Sequence, residues 1–171
     1  MNKAIIVATV ALAAVATSSC KHKYNISDQD ATAAQEQYQE LSTAQSEGKA
    51  FIARQLKADT ALKQTASGLV YKITAPGSGE QFKEDDKVKV IYTGKHVDGQ
   101  VFDSSNGQAV SFPVAAVVPG FKQMLLMMRP GAKAYCIIPG DLAYGQQGTP
   151  DGSIAPNETL VFEIEAVGLD K

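Results

Sequence analysis

From Thr65 to the C-terminus, short runs of strand-forming residues alternate with glycines and prolines. Such runs, rich in β-branched and aromatic residues and bounded by turn residues, are typical of strands joined by tight turns. In the last run, the apolar residues Leu160, Phe162 and Ile164 alternate with residues that are mostly polar, so one face is expected to be buried. The runs with this composition are 68–75, 87–97, 101–104, 110–112, 133–138 and 159–167. The pattern predicts an antiparallel sheet.

A single short helix is predicted among the strands. Residues 121–128 (FKQMLLMM) follow Pro119-Gly120 and are stopped by Pro130-Gly131. Proline is tolerated in the first turn of a helix and ends a helix when it stands just beyond it. The expected fold class is α+β, with one antiparallel sheet wrapped around one short helix.

The first twenty residues indicate export from the cytoplasm. Lys3 precedes an uncharged, almost wholly apolar run from 4 to 17, which is too short to span a bilayer as a stable anchor. Two serines then precede Cys20, an arrangement that resembles the lipobox of bacterial lipoproteins. We therefore predict a lipoprotein signal peptide over 1–19, with Cys20 as the lipidated first residue of the mature chain. Ordinary signal cleavage that leaves Cys20 unmodified is the alternative.

Between this signal and the strands, the composition of the chain changes twice. Residues 20–30 are polar and aperiodic, which predicts a flexible tether. Residues 31–65 are rich in Ala, Gln and Glu, with no Pro and a single Gly at position 48, and are predicted to be a helical spacer. Because its large apolar residues fall only loosely on one face, a solvated spacer whose last turns dock on the domain at 66–171 is favoured over a self-pairing coiled coil. A monomer is therefore favoured over a weak dimer.

Composition excludes several classes of function. Lys plus Arg total 16 and Asp plus Glu total 18, and this net charge of -2 argues against nucleic-acid binding. His22 and His96 have no Cys or second His at ligand spacing, so no metal site is predicted. No nucleotide-binding glycine motif occurs, and no cofactor is predicted. The absence of a nucleophile elbow disfavours nucleophilic hydrolysis. Cys136 lies in an apolar run and is interpreted as a buried hydrophobic residue.

Aromatic and aliphatic residues stand next to several predicted turns. Tyr92 precedes Thr93-Gly94, Phe102 precedes Asp103, and Tyr144 precedes Gly145. Such residues at the loop end of a sheet either line a binding pocket or seal the edge of the core. The pattern alone leaves both interpretations open.

Segments along the predicted domain resemble the FKBP-type peptidyl-prolyl cis-trans isomerases. In chain order they are VIYTG at 90–94, VFDSS at 101–105, VVPGF at 117–121, IPGDLAYG at 138–145 and IAPNETLVF at 154–162. The resemblance covers residues 67–169, and the junction that precedes it is similar to that of bacterial envelope members such as the macrophage infectivity potentiator group. It implies a five- or six-stranded antiparallel sheet curled around one short helix, with the active pocket between them.

The resemblance also implies which residues form a proline pocket. Those implied in catalysis are Tyr92, Phe102, Asp103, Val118, Phe121, Tyr144 and Phe162, and those implied in substrate binding are Val110, Val117 and Ile154. Phe121 takes the floor of the pocket, where the family more often has Trp. Val110 stands where many members carry another aromatic residue.

The activity implied is rotation about X-Pro peptide bonds, which assists protein folding in the bacterial cell envelope. A low-turnover chaperone that holds clients in the same pocket is the alternative. The implied partners are proline-containing polypeptides, with macrolides as inhibitors. The predicted lipid anchor places the protein on a membrane, with the outer membrane facing the periplasm as the favoured site.

Overall fold

A computed structural model describes the backbone of residues 28–170 and the side chains of residues 43–170. The predicted signal peptide, Cys20 and the tether up to residue 27 lie outside the described residues. The helices and strands are α1 (Asp28–Ala58), β1 (Lys63–Gln64), β2 (Val70–Pro76), β3 (Lys87–Lys95), β4 (Val101–Ser104), β5 (Val110–Pro113), α2 (Pro119–Met127), β6 (Ala132–Ile138) and β7 (Leu160–Leu169). Within this part of the chain, no helix has the length and apolar character needed to cross a membrane.

The strands form one antiparallel sheet in the order β1-β2-β6-β7-β3-β4. One edge of β3 lies beside β7, and the other edge is shared, because β5 pairs with residues 87–90 and β4 with residues 93–95. Residues 105–109 connect these two short strands outside the sheet. The predicted α+β class is confirmed, and the sheet has seven strands because the two-residue β1 extends its edge beyond the predicted runs.

Helix α2 lies on one face of the sheet, which we term the inner face. Alternate residues of β3, β6 and β7 point to this face and form the main core together with Phe121, Met124 and Leu125 of α2. Cys136 is among them and is fully buried as a free thiol. Burial raises the pKa of Cys136 to about 12, so the group stays a protonated thiol, as its apolar surroundings predict.

The last turns of α1 cover the opposite, outer face of the sheet. A smaller cluster of buried residues there contains Val70, Ile137 and Val161, and side chains of α1 such as Phe51 and Leu56 pack against it. Gly48 allows the helix to come close, because a Cβ atom at this position would lie 2.1 Å from Oγ1 of Thr159. Gly48, the single glycine of the predicted spacer, is therefore a point of close contact between α1 and Thr159.

We expect Gly48→Ala to lower the free energy of unfolding by about 1–3 kcal/mol, the usual cost of forcing an extra group into a packed site. Helix propensity alone predicts the opposite sign, because Ala stabilises a helix by about 1 kcal/mol relative to Gly. Urea unfolding measures the difference. Ser46→Ala, at an exposed position of the same helix, is the control and should be neutral or slightly stabilising. A stabilising Gly48→Ala would contradict the contact between α1 and Thr159.

Candidate active site

A cavity of about 290 Å³ opens between the inner face of the sheet and the start of α2. Its lining comes from β3, β4, β5, α2, β7 and the connections before α2 and after β6. The lining residues are Tyr92, Phe102, Asp103, Phe112, Ala116, Val117, Val118, Phe121, Tyr144 and Phe162. All of them except Phe112 and Ala116 are among the residues that the sequence predicts for the pocket.

Aromatic rings form the floor and walls of this cavity and pack edge to face. Phe121 is buried at the floor, with its ring centroid 5.3 Å from that of Phe162 and 6.1 Å from that of Tyr92. Phe102 meets Phe162 at 5.7 Å, and Phe112 meets Tyr92 at 5.9 Å. This is the arrangement that aromatic quadrupoles favour. Because each ring is held by its neighbours, the apolar cavity is present before any ligand binds.

Two glycines allow these rings to converge. A Cβ atom at Gly94 would lie 2.6 Å from Cζ of Phe102 and 2.8 Å from Cε1 of Phe162. A Cβ atom at Gly120 would lie 2.3 Å from Cγ2 of Ile138, so only glycine lets the first turn of α2 sit on the end of β6. Since Phe121 follows directly, this close contact places its ring at the floor.

A tyrosine and an aspartate supply the polar edge of the cavity. The Tyr92 hydroxyl donates a hydrogen bond of 2.7 Å to Oδ2 of Asp103. Burial, together with this bond and the charge of Asp103, raises the pKa of Tyr92 to about 12. Burial and the charge of Asp103 also raise the pKa of Tyr144, which stands at the mouth with 41% of its surface exposed. Both tyrosines therefore carry their protons at neutral pH and act as hydrogen-bond donors.

The structure places two of the predicted substrate-binding residues away from the cavity lining. Val110 begins β5 at the sheet edge and is 36% exposed, whereas Phe112, two residues further on the same face of that strand, reaches the cavity. Ile154 is buried in the main core, and its backbone N–H and carbonyl groups both form hydrogen bonds with Thr149. The alternation of side chains between the two faces of β5 could have identified Phe112 as a cavity residue, since strand residues two apart share a face.

A sheet packed on one short helix, with an aromatic cavity between them and a tyrosine–aspartate pair at its edge, is typical of a binding site for a largely apolar ligand. The comparisons with known proteins give the family. Residues 78–167 match the family described as FKBP-type peptidyl-prolyl cis-trans isomerase, and the chain belongs to this family. The resemblance that the sequence motifs predict is thereby confirmed.

Similar proteins occur in several bacteria. The chain is 41% identical over 144 residues to the probable FKBP-type isomerase FkpA of Neisseria meningitidis serogroup B, a match that covers 83% of this chain and 52% of the relative. It is also 41% identical over 112 residues to the isomerase Mip of Coxiella burnetii, covering 64% of this chain and 48% of the relative. The chain therefore spans about half the length of the curated relatives it matches.

Solved structures show the same fold. The crystal structure of FkpA from Escherichia coli superposes with a TM-score of 0.76 and 32% identity, covering 85% of this chain and 74% of that one. The crystal structure of a peptidyl-prolyl cis-trans isomerase from Pseudomonas syringae gives a TM-score of 0.69 at 35% identity, covering 76% of this chain and 96% of that one. At these identities the likeness extends to the sequence as well as to the fold.

Proposed function

We propose that the chain is a peptidyl-prolyl cis-trans isomerase that accelerates rotation about X-Pro bonds. The observation that carries this proposal is the preformed aromatic cavity, whose floor is Phe121 and whose polar edge is the pair of Tyr92 and Asp103. A prolyl ring supplies the apolar ligand, and the peptide chain on either side of it supplies the polar groups. Membership of the isomerase family supports the same activity.

Such a cavity needs no nucleophile. Rotation about an amide bond faces a barrier of about 18–20 kcal/mol because resonance is broken. The twisted transition state has lost resonance and some carbonyl charge, so an apolar, water-poor cavity favours it over the planar ground state. A ten-thousandfold acceleration requires about 5.4 kcal/mol, at about 1.36 kcal/mol per factor of ten. Differential binding of the twisted state by the rings supplies stabilisation of this kind without acid–base chemistry.

In this proposal some cavity residues bind the prolyl ring of the substrate and others bind the substrate's peptide backbone. Phe102, Phe121 and Phe162 surround the prolyl ring with apolar surface. The Tyr144 hydroxyl and the backbone N–H of Val118 bind the substrate chain, since Val118 caps α2 and the first N–H groups of a helix have no partner within it. Proline-containing polypeptides are the proposed partners, and macrolides, which present large apolar rings, are the proposed inhibitors.

The proposed place of action is the bacterial cell envelope, where the enzyme assists protein folding. The apolar run at 4–17 and the cysteine at position 20 support export followed by lipid attachment. Buried acyl chains contribute about 0.8 kcal/mol for each CH₂ group, which attaches the mature protein to a membrane surface. The favoured membrane is the outer membrane, on its periplasmic side.

Cys20→Ser should release the protein from the membrane fraction and abolish its labelling by radioactive palmitate. Labelling that persists in Cys20→Ser would contradict the anchor.

The activity is tested on the chain expressed from residue 21, without the predicted signal and lipidation site. Relaxation of an X-Pro peptide from cis to trans is followed by a protease-free NMR or optical assay. We expect the relaxation rate to rise linearly with protein concentration. A folded protein that accelerates neither Leu-Pro nor Phe-Pro peptides would overturn the proposed activity.

We expect Asp103→Leu to lower kcat/KM by about tenfold, because a hydroxyl loses its charged acceptor, and hydrogen bonds to charged groups contribute about 1.5–3 kcal/mol. The hydroxyl is that of Tyr92, whose orientation at the cavity edge depends on the bond to Asp103. Asp98→Leu is the matched control, since Asp98 lies on the same hairpin, is exposed and does not line the cavity. Equal activity of the two folded variants would show that Asp103 has no part in catalysis.

A further inference from the structure

The ring of Phe102, which forms one wall of the cavity, packs against the ring of His96. The His96 ring lies 5.2 Å from the Phe102 ring, centroid to centroid, and is tilted by 59° to it. Phe162 meets Phe102 edge to face at 5.7 Å. Phe102 is therefore held between two rings, and the position of His96 affects where the wall stands.

His96 is itself fixed by a glutamate from a distant part of the chain. Nδ1 of His96 lies within hydrogen-bond distance of Oε1 of Glu158, and Oε2 of Glu158 accepts the N–H of Ala155 at 2.8 Å. A carboxylate only accepts hydrogen bonds, so Nδ1 of His96 carries the proton. Both oxygens of Glu158 are thus engaged, and they join the β3–β4 hairpin to the segment that leads into β7.

That segment also contacts the chain beside Tyr144, which stands at the cavity mouth. The N–H of Asn157 donates to the carbonyl oxygen of Gly145 at 2.7 Å, and Gly145 follows Tyr144 directly. The backbone of Asn157 also packs on Gly140, where a Cβ atom would lie 2.2 Å from the Asn157 carbonyl oxygen. A continuous set of contacts therefore runs from the Phe102 wall, through His96 and Glu158, to the residue beside Tyr144.

This pair differs from the surface ion pairs elsewhere in the described residues. The side chains of His96 and Glu158 are 23% and 16% exposed, whereas those of Lys133 and Glu165 on the outer face are 55% and 37% exposed. Exposed pairs contribute little because water and salt screen them. Hydrogen bonds to a charged group that is largely removed from water are stronger and hold a more defined geometry.

We propose that His96 and Glu158 are positioning residues that set the gap between Phe102 and Tyr144 and thereby select which side chains beside proline the cavity accepts. The selection part of this inference rests on the proposed isomerase activity. The mouth must admit the residue bound to proline as well as the prolyl ring, so a change of gap alters the fit of a bulky neighbour more than that of a small one.

The test compares Glu158→Ala, Glu158→Gln and the control Glu165→Ala in the chain from residue 21. We expect Glu158→Ala to change the ratio of kcat/KM for Phe-Pro and Ala-Pro peptides by roughly tenfold, the lower end of the range that one methylene group in an apolar pocket discriminates. Glu158→Gln should keep the wild-type ratio. Its amide oxygen accepts from the N–H of Ala155, and its NH₂ group donates to Nδ1 of His96 once the ring proton has moved to Nε2. Glu165→Ala, which breaks the exposed pair with Lys133, should leave the ratio unchanged.

A second measurement does not depend on activity. The ring resonances of ¹³C-labelled Phe102 are recorded for each variant, and we expect them to shift and broaden in Glu158→Ala but not in Glu158→Gln or Glu165→Ala. If the wild type proves inactive, the proposed function fails while these resonances still decide whether the pair positions Phe102. Resonances of Phe102 in Glu158→Ala that match the wild type overturn the proposal. An active Glu158→Ala variant that keeps the wild-type ratio of kcat/KM also overturns it. A Glu158→Gln variant in which both the ratio and the Phe102 resonances differ from the wild type does the same.

Discussion

Phe121→Ala should reduce kcat/KM for X-Pro isomerisation by about a hundredfold, which corresponds to about 2.7 kcal/mol of lost transition-state stabilisation. The Phe121 ring is the floor of the cavity and contacts the rings of Tyr92 and Phe162. Its removal admits water below the prolyl ring and frees both neighbours to move. The free energy of unfolding should also fall by about 3–5 kcal/mol, the usual cost of truncating a buried Phe to Ala.

A matched control separates the two effects of this substitution. Phe82 is 4% exposed and Phe121 5% exposed, and both belong to the main core, but Phe82 does not line the cavity. Phe82→Ala should therefore lose similar stability while each folded molecule retains nearly wild-type activity. Circular dichroism gives the folded fraction to which each rate is normalised. Equal losses of normalised activity in the two variants would contradict the role of Phe121 as the floor.

Gly94→Ala should lower kcat/KM by tenfold or more and the free energy of unfolding by about 1–3 kcal/mol, the range for overpacking a filled core. Gly94 lies within β3. Alanine is ordinarily more stable than glycine inside a strand, because glycine loses more conformational entropy on folding. The added methyl group would instead press on the rings of Phe102 and Phe162, which line the cavity. Urea unfolding and the peptide assay measure the two effects.

The double variant Gly94→Ala with Phe102→Leu tests whether the rings are the cause. The smaller leucine relieves the contact with the new methyl group, so stability should recover relative to the single variant. Activity should stay low, because the Phe102 wall has been lost. A double variant no more stable than Gly94→Ala would place the strain somewhere other than at Phe102.

Local composition predicted most of the sheet, because strand residues and turn residues act over a few positions. The predicted runs at 87–97 and 101–104 correspond to β3 and β4, and the helix predicted at 121–128 corresponds to α2. Strand β1 was missed because Lys63 and Gln64 are polar and exposed, and become a strand only by pairing with Tyr71 and Val70. The structural role of Gly48 could not be predicted from sequence either, because it depends on a contact with Thr159, which lies far along the chain.

The site was predictable where sequence motifs carry it and not where it depends on contacts between distant segments. Tyr92, Phe102 and Tyr144 stand beside turns in motifs of the family, and the structure brings their side chains to one cavity. The pairing of His96 with Glu158 joins residues 62 positions apart, and nothing in either local sequence marks it. Such contacts follow from the register of the sheet and the course of its loops, which composition does not determine.

The interrupted edges of the sheet bear on how this protein would meet unfolded chains. One edge ends in the two-residue β1, and the other is divided between β4 and β5, of four residues each, with Pro113 in β5 lacking an N–H to donate. A long row of unpaired backbone groups is a template on which an extended polypeptide adds as a further strand, the first step of co-aggregation. In the proposed function the protein works among such polypeptides, and the edge divided between β4 and β5 offers them no long row of unpaired groups.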